Sequence, residues 1–183
     1  VVRAAARAWA VAPRAGSSLL ATPVVVVLAH GDHGKTTLLD ALLGTNEASH
    51  EPGLITQTVR PSLLRLHGGD DPPPTSIAFL DTPGHEIFVG MREASGTSAD
   101  AALILVALDA GLQKQTREVL HACARRRQRV VLAVSKVDLA ANAISFADAS
   151  QSPEVRALSA ELLRAWRDAV SAAESERSEA KQL

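Results

Sequence analysis

A chain of 183 residues, 46% of them hydrophobic, is long enough to bury one core of ordinary domain size and too short for two. Its 19 basic and 20 acidic residues leave a formal net charge of -1, which excludes recognition of nucleic acid or an anionic membrane by bulk charge, so that any such partner must be met locally. The single cysteine, Cys123, excludes an intrachain disulfide and fits a reducing compartment.

The first residue is Val1 and the only methionine is Met91, so a fragment, a processed chain or an incomplete reading frame is expected. Residues 1–22 form an Ala/Arg-rich leader or linker. No acidic residue occurs before Asp32, and Arg3, Arg7 and Arg14 fall on one side of a helix ended by Pro13. This composition fits an organellar transit peptide, which would place the protein in a mitochondrion or plastid. It fits a linker equally well, with a bacterial cytoplasm as the alternative location. The longest uncharged apolar run, "LLATPVVVVLA", is interrupted by Pro23 and too short to cross a membrane; a soluble protein with neither membrane nor DNA as partner is expected.

From Pro23 onward, apolar runs of strand length alternate with segments of helical period. "PVVVVLA" reads as a buried strand and "KTTLLDALL" as the helix after it. "VRPSLLRLH" and "SIAFLD" read as a strand pair joined by the surface turn "GGDDPPPT". "HEIFVGMREAS" has helical period, "AALILVAL" is a strand, "KQTREVLHACARRR" a helix and "RVVLAVS" another strand. This order gives an α/β domain over residues 23–150, a mostly parallel sheet with helices on both faces. Residues 151–183 read as an amphipathic helix of the same domain. Ser152 is at its cap, Pro153 in its first turn, Val155, Leu158, Leu162, Trp166 and Val170 form one stripe, and the end "SAAESERSEAKQL" frays.

The stretch "AHGDHGKTTLLDALL", Ala29 to Leu43, lies between that first strand and helix, the setting in which a phosphate-binding loop has physical meaning. Backbone N–H groups of Asp32, His33, Gly34, Lys35, Thr36 and Thr37 would form a nest at the positive end of the helix dipole. Gly34 permits close backbone approach, Lys35 reaches the β- and γ-phosphates, and the Thr36 hydroxyl faces Mg²⁺. His30 and His33 read as loop residues, because no cysteine or carboxylate completes a metal site with them. "SKVD", Ser135 to Asp138, selects the base: Asp138 can accept both the ring N–H and the exocyclic amine of guanine, while the Lys136 stem lies along the base. The nucleotide is therefore GTP or GDP. In "DTPGH", Asp81 would hold Mg²⁺ through water, the Gly84 N–H would meet the γ-phosphate, and His85 would orient the attacking water.

In order and spacing, "AHGDHGKTTLLDAL", "GLITQT", "FLDTPGHEIFVGMR", "SADAALILVALDAGLQKQT" and "SKVD" resemble the GTP-binding domain of bacterial-type translation initiation factor two, a P-loop translational GTPase, over about Pro23 to Leu139. The resemblance implies a GTPase that acts on the ribosome, helping to place initiator tRNA and promoting subunit joining. It implies His85 as the catalytic residue and Thr56, with Thr36 and Asp81, as the Mg²⁺ set. Initiator tRNA would be met only through domains outside this sequence. The resemblance also implies a final strand and helix, which the sequence lacks; "SAEL", Ser159 to Leu162, sits within a helical stripe and not in the guanine loop that would follow such a strand.

Three positions depart from the family pattern. Ala29 replaces a usual Gly, which is mild if the residue is still in strand conformation. Gly31 stands where Val or Ile pairs with Ile55 as a gate over the catalytic water, and implies altered control of hydrolysis; the alternative functions are a nucleotide-binding switch module that has lost catalysis, or a non-functional truncated fragment. Ser135 replaces Asn and implies weaker affinity with guanine specificity kept by Asp138. Arg125, Arg126, Arg127 and Arg129 are expected to serve the carbonyls that end their helix, with ribosomal RNA as the other partner they could meet.

Overall fold

The computed structural model describes residues 22–30, 32–45, 60–65, 76–81, 99–140 and 146–180. In chain order these form β1 (Val24–Ala29), α1 (Lys35–Leu43), β2 (Arg60–Arg65), β3 (Ser76–Asp81), β4 (Ala101–Ala107), α2 (Lys114–Arg125), β5 (Arg129–Ser135), a 3-10 turn (Val137–Leu139), α3 (Phe146–Gln151) and α4 (Pro153–Ala180). The expected helix "HEIFVGMREAS" and the turn "GGDDPPPT" lie outside the described residues.

The strands form one sheet in the order β2-β3-β1-β4-β5. β1 pairs parallel with β3 and with β4, and β4 parallel with β5, while β2 runs antiparallel to β3. β2 contains Pro61 opposite Leu80, which suits an edge strand because proline has no N–H to give a ladder. The chain leaves β1 to build one side of the sheet and then crosses to build the other. The crevice beyond the carboxyl ends of β1 and β4 is consequently the switch point where α/β sheets bind ligands.

Alternation along the strands divides the core by face, as a period of two requires. Val27 and Phe79, with Val25, Ile77 and Leu103 beside them, meet Leu39, Leu42 and Leu43 of α1. Val26, Leu28, Ala102 and Ile104 meet Val119, Leu120 and Cys123 of α2 and Ala165, Ala169 and Ala173 of α4. Helices therefore cover both faces. Cys123 is fully enclosed, and its burial pushes the thiol pKa up to about 12, so it is an inert packing residue.

α4 begins as expected, with the Ser152 hydroxyl accepting a hydrogen bond from the Val155 amide at 3.3 Å and Pro153 first in the helix. Two details differ from the sequence reading. The helix does not fray after Val170 but continues to Ala180, about 42 Å in all. Its buried stripe is Val155, Leu158, Leu162, Ala165, Ala169 and Ala173, with Trp166 and Val170 only partly covered at its side. The reason is α2: small side chains let the two helix backbones approach closely, and Arg177 then anchors the distal end by donating to the carbonyl oxygens of Ala124 at 2.8 Å and Arg125 at 2.7 Å.

Candidate nucleotide-binding site

Ala29 is the last residue of β1, buried, and paired with Leu105 of β4. Its methyl is accommodated because the residue is still in strand conformation. The chain then turns, with the His33 amide donating to the His30 carbonyl at 3.1 Å, and enters α1 through Gly34. Gly34 has φ of +81°, and a Cβ built there would meet nothing within 4 Å. The demand for glycine is thus in the left-handed backbone rather than in space. Asp32 and Thr37 are exposed, Thr36 is half-buried, and Lys35 is only 3% exposed at the first position of α1.

His33 fixes this loop to the far side of the crevice. Its Nδ1 lies 3.4 Å from the Leu105 carbonyl oxygen and 3.4 Å from the Ala107 amide nitrogen, both at the end of β4. With the proton on Nδ1 the ring donates to Leu105; with it on Nε2 the ring accepts from Ala107. His30 stacks obliquely, its ring centroid 5.4 Å from that of His33. Among the described residues no group of three or more His, Cys, Asp or Glu is placed to hold a metal.

Burial of the imidazole lowers the His33 pKa below its ordinary 6.5, and this outweighs the opposing hydrogen bond to Leu105. The unfolded chain then binds the extra proton first. The stability tied to neutral His33 is complete above about pH 6.5 and is lost as pH falls through the folded-state value, by up to about 1.4 kcal/mol per pH unit. Urea midpoints measured from pH 7.5 down to 5 are expected to fall more steeply for the native sequence than for His33→Gln. Equal slopes would show that His33 does not carry the effect.

The segment Ser135 to Asp138 reaches the same crevice from β5. The Ser135 hydroxyl donates to the His33 carbonyl oxygen at 2.7 Å, across 102 residues of sequence. Ser135 thus ties the end of β5 directly to the phosphate loop. Lys136 follows with φ of +54°, a left-handed conformation that a non-glycine residue adopts only when its surroundings hold it. Its side chain is paired with Asp109, whose Oδ2 accepts from Lys136 Nζ at 2.8 Å. The same ammonium holds the Asp109 carboxyl below its ordinary pKa. Asp138 is exposed in the 3-10 turn that follows.

Asp81 closes β3 next to β1, in register with Val27, and is 4% exposed. A buried carboxylate and the Thr36 hydroxyl are hard oxygen donors, and Mg²⁺ is typically held by one or two carboxylates with substrate phosphates completing the shell. The donor chemistry therefore fits that ion. Thr56, Gly84 and His85, as well as Gly31 and Ile55, lie outside the described residues.

Asp109 is the residue that motif reading missed. It belongs to no phosphate or base motif, and its pairing with Lys136 spans 27 positions, so only the register of β4 against β5 brings it into place.

Comparison with known proteins agrees with this architecture. Residues 71–175 match the family described as "Elongation factor Tu GTP binding domain"; the phosphate loop lies before that match. A probable translation initiation factor IF-2 of Hyperthermus butylicus is 42% identical over 131 residues, covering 65% of this chain and 21% of the relative. Translation initiation factor IF-2 of Caldicellulosiruptor saccharolyticus is 41% identical over 63% of this chain and 13% of its own length. The chloroplastic IF-2 of Euglena gracilis is 40% identical over 63% and 14%. The chain therefore corresponds to about a fifth or less of these relatives. Among solved structures, translation elongation factor SelB from Methanococcus maripaludis, in complex with the GTP analogue GppNHp, aligns with a TM-score of 0.50 at 22% identity, over 74% of this chain and 25% of SelB, a likeness of fold. With more than half of its residues matched, the chain belongs to the elongation factor Tu GTP-binding domain family, and the curated relatives named above are translation initiation factors.

Proposed function

We propose that this chain binds and hydrolyses GTP as the G domain of a translation initiation factor. The observation that carries the reading is the 2.7 Å hydrogen bond from Ser135 to the His33 carbonyl, which joins the base-recognition turn to the phosphate loop at the switch point of the sheet. In this reading the amides of residues 32–37 and the Gly84 N–H bind phosphate, and Lys35 reaches the β- and γ-phosphates. Lys136 supports the base and Asp138 reads guanine. Thr36, Thr56 and Asp81 hold Mg²⁺, which when bound neutralises charge on the β- and γ-oxygens, and His85 orients the water. The ribosome is the partner that sets the active arrangement of His85, and initiator-tRNA placement and subunit joining belong to the longer protein that its relatives represent.

The test is calorimetric titration with GDP and Mg²⁺, with ATP and Asp138→Asn as controls. Saturable GDP binding is expected that ATP does not reproduce. Asp138→Asn is expected to lose about 10²-fold in affinity or more, since it replaces an acceptor that meets two guanine donors by a group that presents one of them with a donor. Equal affinity for ATP, or an indifferent Asp138→Asn, would overturn the reading. Ribosome-stimulated phosphate release from GTP then tests hydrolysis separately; binding without release would mean that Gly31 has removed control of the attacking water.

A further inference from the structure

The N-terminal edge of the parallel sheet, opposite the nucleotide loops, carries four arginines within five positions where α2 ends and β5 begins: Arg125, Arg126, Arg127 and Arg129. Sequence reading gave them the carbonyls that end α2. In the structure other groups also meet these carbonyls. Arg177 donates to the oxygens of Ala124 and Arg125 at 2.8 and 2.7 Å, and the amides of Arg126, Arg127 and Gln128 donate to Ala122, Ala124 and Cys123. All four side chains of the cluster are exposed. Among the described residues Arg125, Arg127 and Arg129 form no ion pair.

The backbone adds a second observation. Arg127 occupies the left-handed position after α2, with φ of +54°, where helices usually place glycine to avoid strain. Arg127 lines a groove of about 610 Å³ between the end of α2 and α4, together with Gln128, Trp166, Val170, Glu174 and Arg177. Trp166 is partly buried against the core and also lines the groove. Of the groove's lining side chains only Glu174 is acidic.

We propose that this groove and its arginine rim bind a single-stranded stretch of RNA, with phosphates on Arg125, Arg127 and Arg129 and a base stacked on Trp166. Guanidinium forks match phosphate oxygens, and an indole face next to cations is the platform on which unpaired bases stack. An acidic peptide would use the arginines but leave the indole idle. The choice of RNA over DNA rests on the proposed place of the chain in translation; the groove itself is separate from the nucleotide site.

The experiment is fluorescence anisotropy of a labelled oligouridylate of about 12 nucleotides, with its deoxy counterpart and polyglutamate as competitors, alongside GDP titration and the thermal transition of each variant. Contacts to three phosphates of a single strand predict a log–log salt slope near -2, so affinity is expected to fall about 20-fold between about 50 and 200 mM salt. The triple variant Arg125→Glu, Arg127→Glu, Arg129→Glu is expected to lose at least about tenfold in affinity and to flatten that slope, with its thermal transition and GDP binding unchanged. Trp166→Phe should keep most of the binding, and Trp166→Leu should lose about fivefold or more. Unchanged RNA binding in a folded triple variant overturns the proposal. So does competition by polyglutamate equal to that by RNA, which assigns the groove to an acidic peptide, or equal competition by the deoxy strand, which removes the preference for RNA. Because GDP is titrated in the same samples, loss of nucleotide binding is read independently.

Discussion

Lys35→Met is expected to lower affinity for GDP and GTP by about 10²-fold while leaving the thermal transition of the nucleotide-free protein within a few degrees. Lys35 is 3% exposed at the N-terminus of α1, so its ammonium acts from a site with little water to screen it. Hydrogen bonds to charged groups are worth roughly 1.5–3 kcal/mol each, and two of them to phosphate oxygens, at the lower end of that range, give the stated factor. The methionine stem fills nearly the same volume, so core packing next to Leu39 is preserved. Lys35→Arg is not expected to rescue binding, because a wide planar fork does not fit where a compact ammonium is enclosed. Calorimetry with GDP decides it. Native-like affinity in Lys35→Met would mean that the loop amides alone hold the phosphates and that the buried lysine has a packing role.

The elements that position this site were legible for a definite reason. β1, β3, β4 and β5 are short β-branched or leucine-rich runs between turn residues, and α1 follows a glycine that the backbone requires at φ of +81°. Local pattern suffices for such features. The motif at Ser135 to Asp138 reads in sequence as base recognition, but spacing alone does not show that Ser135 bonds the loop between β1 and α1. That link depends on β4 lying between β1 and β5 in the sheet. Serine in place of asparagine implies weaker affinity. In the folded chain the shorter side chain reaches the His33 carbonyl at 2.7 Å, because both loops emerge at the same edge.

The stripe of α4 is as expected at Val155, Leu158 and Leu162 and differs beyond them for the opposite reason. Hydropathy favours the large residues Trp166 and Val170, whereas close packing of α2 against α4 selects Ala165, Ala169 and Ala173. Interhelical distance depends on the side chains at the contact, and small ones allow the shortest. The continuation of the helix to Ala180 likewise depends on a bond from Arg177 to another helix, which composition cannot reveal. Asp109 belongs with these cases: it is an exposed turn residue until β4 and β5 are aligned and Lys136 meets it.

Leu162→Ala is expected to destabilise the protein by about 3 kcal/mol, within the range of leucine truncations that leave a cavity. Leu162 is 2% exposed and joins Leu158 of α4 to Val106 of β4, with Leu108 and Val134 packed beside them. These residues lie under the ends of β4 and β5, where Asp109 and Lys136 are held. A cavity here removes dispersion contacts from the layer under the turn at Ser135 to Asp138, the turn proposed to read the base, so GDP affinity is expected to fall as well, even under conditions where the variant is still folded. The neighbouring residue is the control: Leu163 is 49% exposed, and Leu163→Ala should change stability by no more than about 0.5 kcal/mol. Urea denaturation of both variants checks the pair. Similar costs at 162 and 163 would mean that α4 is rotated from the orientation described. A large cost at Leu162 with unchanged GDP affinity would separate the support of α4 from the base-recognition turn, leaving Asp109 and the Ser135 bond as what holds that turn in place.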